Sequence, residues 1–186
     1  MRVIAGTARG LHLKAPKTDL RPLSDQAKEG LFNILAPKIG GVIFLDCFAG
    51  SGAVGIEALS RGADRAIFVE KDRRAVMTIR DNLKLCGFTE KSHVYALDVL
   101  RALKVLSDET THFDLIYLGA PYDHPVLEKA LEFIAQAAGQ GLLLRTEGSI
   151  IAEHRKKHLL ADDFGTIKKV NQRIYGDTAF SFYQRV

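Results

Sequence analysis

The 186-residue sequence predicts an α/β fold: a parallel sheet covered by helices on both faces and finished by one antiparallel hairpin. Three observations predict it. Short apolar runs alternate with amphipathic segments from residue 42 to residue 152. The runs at 66–69 and 113–118 are continuous rather than alternating, as expected of strands buried on both faces. At the C-terminus, the strand-like segments 167–174 and 179–183 are joined only by Tyr175-Gly176-Asp177-Thr178. That link is too short for a parallel crossover, so the two segments pair antiparallel.

Taken in order, residues 2–6 and 10–14 are strand-like runs joined by Thr7-Ala8-Arg9, which predicts a small β-hairpin with basic sides. An irregular link through Arg21-Pro22 leads to a helix over 28–35, apolar at Leu31, Ile34 and Leu35, capped by Ser24 or Asp25 and stopped by Pro37. A boundary near residue 40 separates this 1–40 extension from a main domain of 41–186. The main domain opens with VIFLDCFAGSGAVGIEALSRG, in which a strand ends on Asp46. The chain then turns through Phe48-Ala49-Gly50-Ser51-Gly52 and enters a helix closed by Gly62. A strand at 66–69 ends on Glu70-Lys71, and Val76, Ile79 and Leu83 mark a helix that Gly87 terminates. Residues 93–97 lead to Asp98 and a helix over 99–106, and the strand at 113–118 leads to Gly119-Ala120-Pro121-Tyr122. Val126, Leu127, Ala130, Leu131 and Ile134 mark the next helix, followed by a strand at 149–152. No repeat or low-complexity tract interrupts the series.

Hydrophobic and charged contents of 47% and 26% are those of a globular domain. No run approaches the roughly 18 apolar residues of a membrane span, and residues 1–6 lack a signal-peptide core, so a cytoplasmic protein without membrane contact is expected. Cys47 and Cys86 lie on unrelated elements without metal-ligand spacing and read as free thiols. The net charge of +4 is localised: residues 1–40 hold seven cations against three acids, which leaves the remainder neutral. A basic arm on a neutral domain points to nucleic acid, with Arg2, Arg9, Lys14, Lys17 and Arg21 as candidate RNA contacts. A monomer is expected.

The glycine loop carries the chemistry. Gly50 and Gly52 allow close approach of backbone N–H groups to a ligand at the positive end of a helix, while Asp46 favours a ligand bearing a positive group. Gly50-x-Gly52-x-x-Gly55 is also the dinucleotide fingerprint, and Glu70 follows its first glycine by twenty residues. The loop alone therefore leaves NAD and S-adenosylmethionine both open. Ligands in such sheets bind at the carboxyl ends of the strands, here Asp46, Glu70, Asp98 and residues 119–122. Glu70 can accept both hydroxyls of a ribose, and Asp98 with the Val99 N–H can read an adenine edge, the alternative for Asp98 being only a cap on the following helix. Cys47 has no partner base and reads as a small buried thiol. The six histidines, His124 and His154 among them, show no metal-like pairing, and Arg155-Lys156-Lys157-His158 reads as a solvated surface.

Three separated motifs, RPLSDQAKEGLFNIL, LDCFAGSGAVGIEALSRG and YGDTAFSFY, resemble the RsmD-type methyltransferases, which methylate the N2 amine of a guanine in bacterial 16S ribosomal RNA. The resemblance covers nearly the whole chain. It implies the class I S-adenosylmethionine-dependent methyltransferase fold (Rossmann-like), with a seven-stranded sheet whose last strand is antiparallel. It also implies a cradle of Asp46, Phe48, Ala49, Gly50, Ser51, Gly52, Glu70, Lys71, Asp98 and Val99 for the donor, and 16S rRNA or an assembling small ribosomal subunit as partner. The family's catalytic tetrad, Asp-Pro-Pro-Tyr or Asp-Pro-Pro-Phe, falls on Gly119, Ala120, Pro121 and Tyr122. In the family the acid accepts a hydrogen bond from the target amine and the aromatic ring stacks on the flipped base. This chain keeps the second proline and the aromatic residue and lacks the acid, a loss expected to slow transfer by about 10²–10³-fold. Asp123 lies beyond the aromatic residue and is not expected to substitute. Gln26 stands where many relatives carry arginine. The alternatives are an RNA-binding relative without catalysis, an adenine-N6 methyltransferase and, against the length of the N-terminal extension and the terminal hairpin, an NAD oxidoreductase.

Overall fold

The computed structural model describes residues 1–16, 23–122 and 124–186. Lys17, Arg21 and Asp123 lie outside the described residues. Helix α1 (Asp25–Leu35) precedes a seven-stranded sheet made of β1 (Ile43–Cys47), β2 (Arg65–Val69), β3 (Ser92–Tyr95), β4 (His112–Leu118), β5 (Leu143–Arg155), β6 (Ile167–Tyr175) and β7 (Thr178–Arg185). The crossovers carry α2 (Ala53–Ser60), α3 (Arg73–Cys86), α4 (Val99–Asp108) and α5 (Val126–Gly139). The strand order is β3-β2-β1-β4-β5-β7-β6, parallel except for β7, which pairs antiparallel with both neighbours. The fold is thus the class I methyltransferase sheet that the motifs imply.

Period-two alternation divides the sheet between two cores. Phe44, Phe68, Leu115, Tyr117, Ile151 and Phe180 pack on one face with α1, α2 and α3. Leu45, Val69, Ile116, Leu118, Ile150 and Tyr183 pack on the other with α4 and α5. Each helix start follows local chemistry: the Ser24 side chain accepts from Ala27 N, Asp72 from Arg74 and Ala75 N, and Asp98 from Leu100 N. Gly87, at φ +73°, closes α3 as expected. No helix among the described residues is long and apolar enough to cross a membrane.

One element differs from expectation, and a second is completed by a helix. Strand β5 begins six residues earlier than the apolar run, because Leu143 and Leu144 pair with β4 before the polar residues 145–148 loop out and pairing resumes at Ser149. The N-terminal hairpin pairs across a short stretch: Arg2 bridges His12 antiparallel, Val3 N–H donates to the Leu11 carbonyl at 3.0 Å, Gly10 N–H to the Val3 carbonyl at 2.9 Å and Leu13 N–H to the Met1 carbonyl at 3.1 Å. The residues that follow the first run turn to α2 instead: Ile4 and Ala5 N–H groups donate to the Glu57 carboxylate at 2.8 and 3.0 Å, and Thr7 N–H to the Ser60 carbonyl at 2.8 Å. Helix α2 and the partner run therefore shape the arm together. Glu57 is fully buried and also meets Lys28 Nζ at 3.3 Å and Arg61 Nε at 2.8 Å.

Candidate active site

The parallel register sets Tyr95, Val69, Cys47, Leu118 and Ala152 side by side at the carboxyl edge of the sheet. The residues that follow three of them, Glu70, Gly119 and Glu153, therefore share one rim, the usual ligand edge of an open α/β sheet.

The donor half is built from backbone and buried acids. Asp46, almost wholly buried, turns beneath the glycine loop, where its Oδ2 accepts the Gly55 N–H at 2.8 Å. Burial pushes its carboxyl up to about 7, against the opposing Gly55 hydrogen bond and with the charges of Glu70 and Glu153 adding to the rise. Asp46 thus braces the loop from beneath. Glu70 accepts the Gly50 N–H through Oε2 and the Asp72 N–H through Oε1, both at 2.9 Å. Gly52 N–H donates to the Ala49 carbonyl at 2.7 Å. The amides of all three fingerprint glycines are therefore engaged within the protein. Gly55 serves packing, since a Cβ there would stand 2.3 Å from the Phe68 ring. Phe48 holds a positive φ of 65° at the turn.

The other expected donor residues are spread along the same edge. Lys71 is exposed after Glu70, and Asp98 caps α4, its Oδ1 accepting from Leu100 N at 3.0 Å with Val99 buried behind it. Ser51 Oγ contacts Met1 Sδ at 3.3 Å. Sequence reasoning overlooked Asn82, a fully buried amide that bonds Lys14 N and Lys14 O at 2.9 and 3.0 Å and the Ser51 carbonyl at 2.9 Å, tying the arm to the glycine loop. Cys47 is buried, and burial holds its thiol well above the ordinary range, which leaves it inert.

The base half is built from side chains of three strands. The Tyr122 hydroxyl donates to Glu153 Oε1 at 2.8 Å and lies 2.9 Å from Thr178 Oγ1, a residue of the YGDTAFSFY motif. The Tyr117 hydroxyl donates to Glu153 Oε2. Burial raises the Glu153 carboxyl above its usual range, and the two tyrosine hydrogen bonds partly offset the rise. A Cβ at Gly119 would stand 2.8 Å from Tyr117 Cε1, so glycine here is what lets the Tyr117 ring lie across the position. Reading acids at strand ends found Asp46, Glu70 and Asp98; the same rule applied to the strand at 149–152 would have found Glu153.

The cations are redistributed as well. Lys28, counted in the basic arm, is buried with its Nζ 2.6 Å from the Arg2 carbonyl, while Lys14 pairs with Asp81 at 2.8 Å and Arg2 with Asp25 at 3.7 Å. Arg9 is exposed. Beside the base half, His124, Pro125, Glu128, Arg155, Lys157 and His158 line a cavity of about 390 Å³, and the Arg155 guanidinium lies 5.2 Å from the centroid of the Tyr122 ring. The run read as solvated surface therefore borders the tetrad.

Residues 1–184 match the family described as Conserved hypothetical protein 95. The chain is 38% identical over 186 residues to "Putative rRNA methyltransferase YlbH" of Bacillus subtilis, covering 100% of this chain and 99% of the relative. It is 32% identical over 186 residues to ribosomal RNA small subunit methyltransferase D of Escherichia coli, covering 100% and 90%. This chain belongs to the RsmD family. Among solved structures, a hypothetical protein of Thermus thermophilus superposes with a TM-score of 0.81 at 31% identity, covering 100% of this chain and 99% of that one. A methyltransferase fold solved in complex with S-adenosylhomocysteine matches at a TM-score of 0.66 and 13% identity, covering 84% of this RsmD-family chain and 49% of its own, a likeness of fold alone.

Proposed function

We propose that this chain transfers a methyl group from S-adenosylmethionine to the exocyclic N2 amine of a guanine in small-subunit ribosomal RNA. The observation that carries the reading is the Gly50–Glu70 hydrogen bond on the same rim as the Gly119–Tyr122 tetrad, which sets a nucleoside cradle beside a base site. A dinucleotide needs loop amides and a helix N-terminus for its pyrophosphate. Here the glycine amides are taken, and the Glu70 carboxylate stands against a phosphate. A donor without phosphate and with a cationic centre fits this field. Each Glu70 oxygen accepts one N–H and keeps a lone pair for one ribose hydroxyl. A Cβ at Gly50 would meet nothing within 4 Å, so the space above the loop is open. When bound, the donor supplies a methyl group on a positively charged sulfur. Tyr122 would stack the flipped base, and Asp98 with Val99 would border the adenine.

The relatives reported above are named as rRNA methyltransferases, which supports RNA as the substrate. The extension 1–40 would contribute through exposed Arg9, and the cavity beside Tyr122 would take phosphates flanking the target. The second reading, an RNA-binding relative without catalysis, rests on the missing acid at Gly119. Titration calorimetry tests the donor assignment: S-adenosylmethionine is expected to bind well below the concentration at which any NAD binding is seen. Tighter binding of NAD would overturn the methyltransferase reading.

A further inference from the structure

We propose that Glu153, reaching across from the neighbouring strand, supplies the acceptor for the target amine that the tetrad acid supplies in relatives and takes its proton, aimed by the Tyr117 hydroxyl that the glycine at 119 makes room for. The proposal rests on the methyltransferase reading above.

Register supplies the first argument. Leu118 pairs with Ala152 in parallel, so Gly119 and Glu153 are the next neighbours on adjacent strands. Side chains alternate along a strand, and Tyr117 pairs with Ile151 in the same core. Position 119 and Glu153, each two residues further on, continue that face. The carboxylate of Glu153 thus projects beside the place that an Asp at 119 would occupy.

Packing supplies the second. The Tyr117 ring edge stands 2.8 Å, and its hydroxyl oxygen 3.4 Å, from the ideal Cβ of residue 119. An acid at 119 and this ring cannot both hold these positions without a shift. Tyr117 is buried and its hydroxyl donates a hydrogen bond to Glu153 Oε2, which fixes the carboxylate. The missing acid and the tyrosine-held glutamate are therefore one arrangement.

Chemistry supplies the third. Glu153 is only partly covered, and each of its oxygens accepts one tyrosine hydroxyl, so each keeps a lone pair. Its raised pKa makes it a stronger base than an ordinary carboxylate. In the step proposed, the guanine amine accepts the methyl carbon through its nitrogen lone pair, and the carbon–sulfur bond breaks with its electron pair left on sulfur. The amine then gives one proton to the Glu153 carboxylate. The sulfonium charge is discharged, the carboxylate is neutralised, and the proton leaves to water after product release.

The test begins at the guanosine that labelled donor identifies in small-subunit RNA. Binding is measured without turnover, with S-adenosylhomocysteine present, to RNA carrying either guanosine or inosine at that position; inosine lacks the 2-amine. The wild type is expected to prefer guanosine by about tenfold, the worth of one hydrogen bond to a charged acceptor, and E153A to lose that preference. Single-turnover methylation is then compared for E153Q in the wild-type background and in one that restores the acid and removes the obstructing ring, G119D/A120P/Y117L. The E153Q loss is expected to be about 10²-fold in the first and under about threefold in the second. An undiminished guanosine preference in E153A would overturn the proposal. So would equal losses in the two backgrounds, which a merely structural role predicts, or a wild type that is inactive where the restored variant is active. Absence of labelled RNA from both backgrounds would instead remove the methyltransferase reading, and this proposal with it.

Discussion

The two halves of the rim hold their acids differently. In the donor half, Asp46 and Glu70 accept backbone N–H groups of the very loop they brace, so the site is rigid before any ligand arrives. In the base half, Glu153 is held by two tyrosine side chains from β4 and the segment after it. Asp46 and Glu70 are tied to the shape of the loop, whereas a carboxylate held by hydroxyls can exchange partners, which is what the proposed proton transfer needs.

Substitutions can break or sharpen this contrast, and the largest effect is expected beneath the donor half. Glu57→Ala leaves buried Lys28, Arg61 and the Ile4 and Ala5 N–H groups without their acceptor. Urea denaturation should show a loss of about 3–5 kcal/mol, as expected when one partner of a buried pair is removed. Glu153→Gln, by contrast, should cost far less stability than activity. A comparable loss of stability in both would erase the distinction between the two halves.

Asp46 comes next. Its folded pKa of about 7 lies above the ordinary value of 3.8, so the folded protein holds this proton more tightly than the unfolded chain. Stability from this group is fully present below about pH 4 and is lost as pH rises towards 7, by at most about 1.4 kcal/mol per pH unit. Asp46→Asn, which can still accept from Gly55, should flatten stability across that window. Any slope of the same sign that remains belongs to Glu153, whose carboxyl is also raised. An unchanged pH profile in the variant would place the titrating group elsewhere.

A smaller effect is expected at Glu70, where Ala should weaken S-adenosylmethionine binding by about 1–3 kcal/mol, read by calorimetry, through loss of the ribose acceptor. Gln, which preserves one acceptor, should lie between. Donor affinity within twofold of wild type in both variants would separate Glu70 from the ribose. The smallest changes concern phosphate contacts. Arg9→Ala and Lys157→Ala should each lower the slope of log K against log salt for RNA by about 0.7–0.9. Residues 1–20 are not removed for this purpose, because Val3, Ala8 and Leu13 belong to the core. A change at Lys157 alone would assign the RNA path to the cavity beside Tyr122.

The donor half was legible in the sequence because its parts are local. Asp46, the glycines and Glu70 lie within 25 residues, and strand, turn and helix follow from composition and spacing. The role of the loop amides was not legible, since which acceptor a backbone N–H finds depends on how α2 settles on the sheet. The base half joins Tyr117, Tyr122, Glu153 and Thr178, whose proximity arises only from the register of β4, β5 and β7. Gly119 accordingly reads in the sequence as a loss, and only the packed Tyr117 ring shows what fills the space. Lys28 reads as surface charge because nothing local announces Glu57 beneath it.

The central claim is that this chain methylates a guanine amine although the tetrad acid is absent. Small-subunit particles lacking the modification, incubated with the wild-type protein and isotopically labelled S-adenosylmethionine, should yield on nuclease digestion and mass spectrometry one labelled nucleoside, N2-methylguanosine. Labelled N6-methyladenosine, or no labelled nucleoside while both donor and particle are bound, would contradict it.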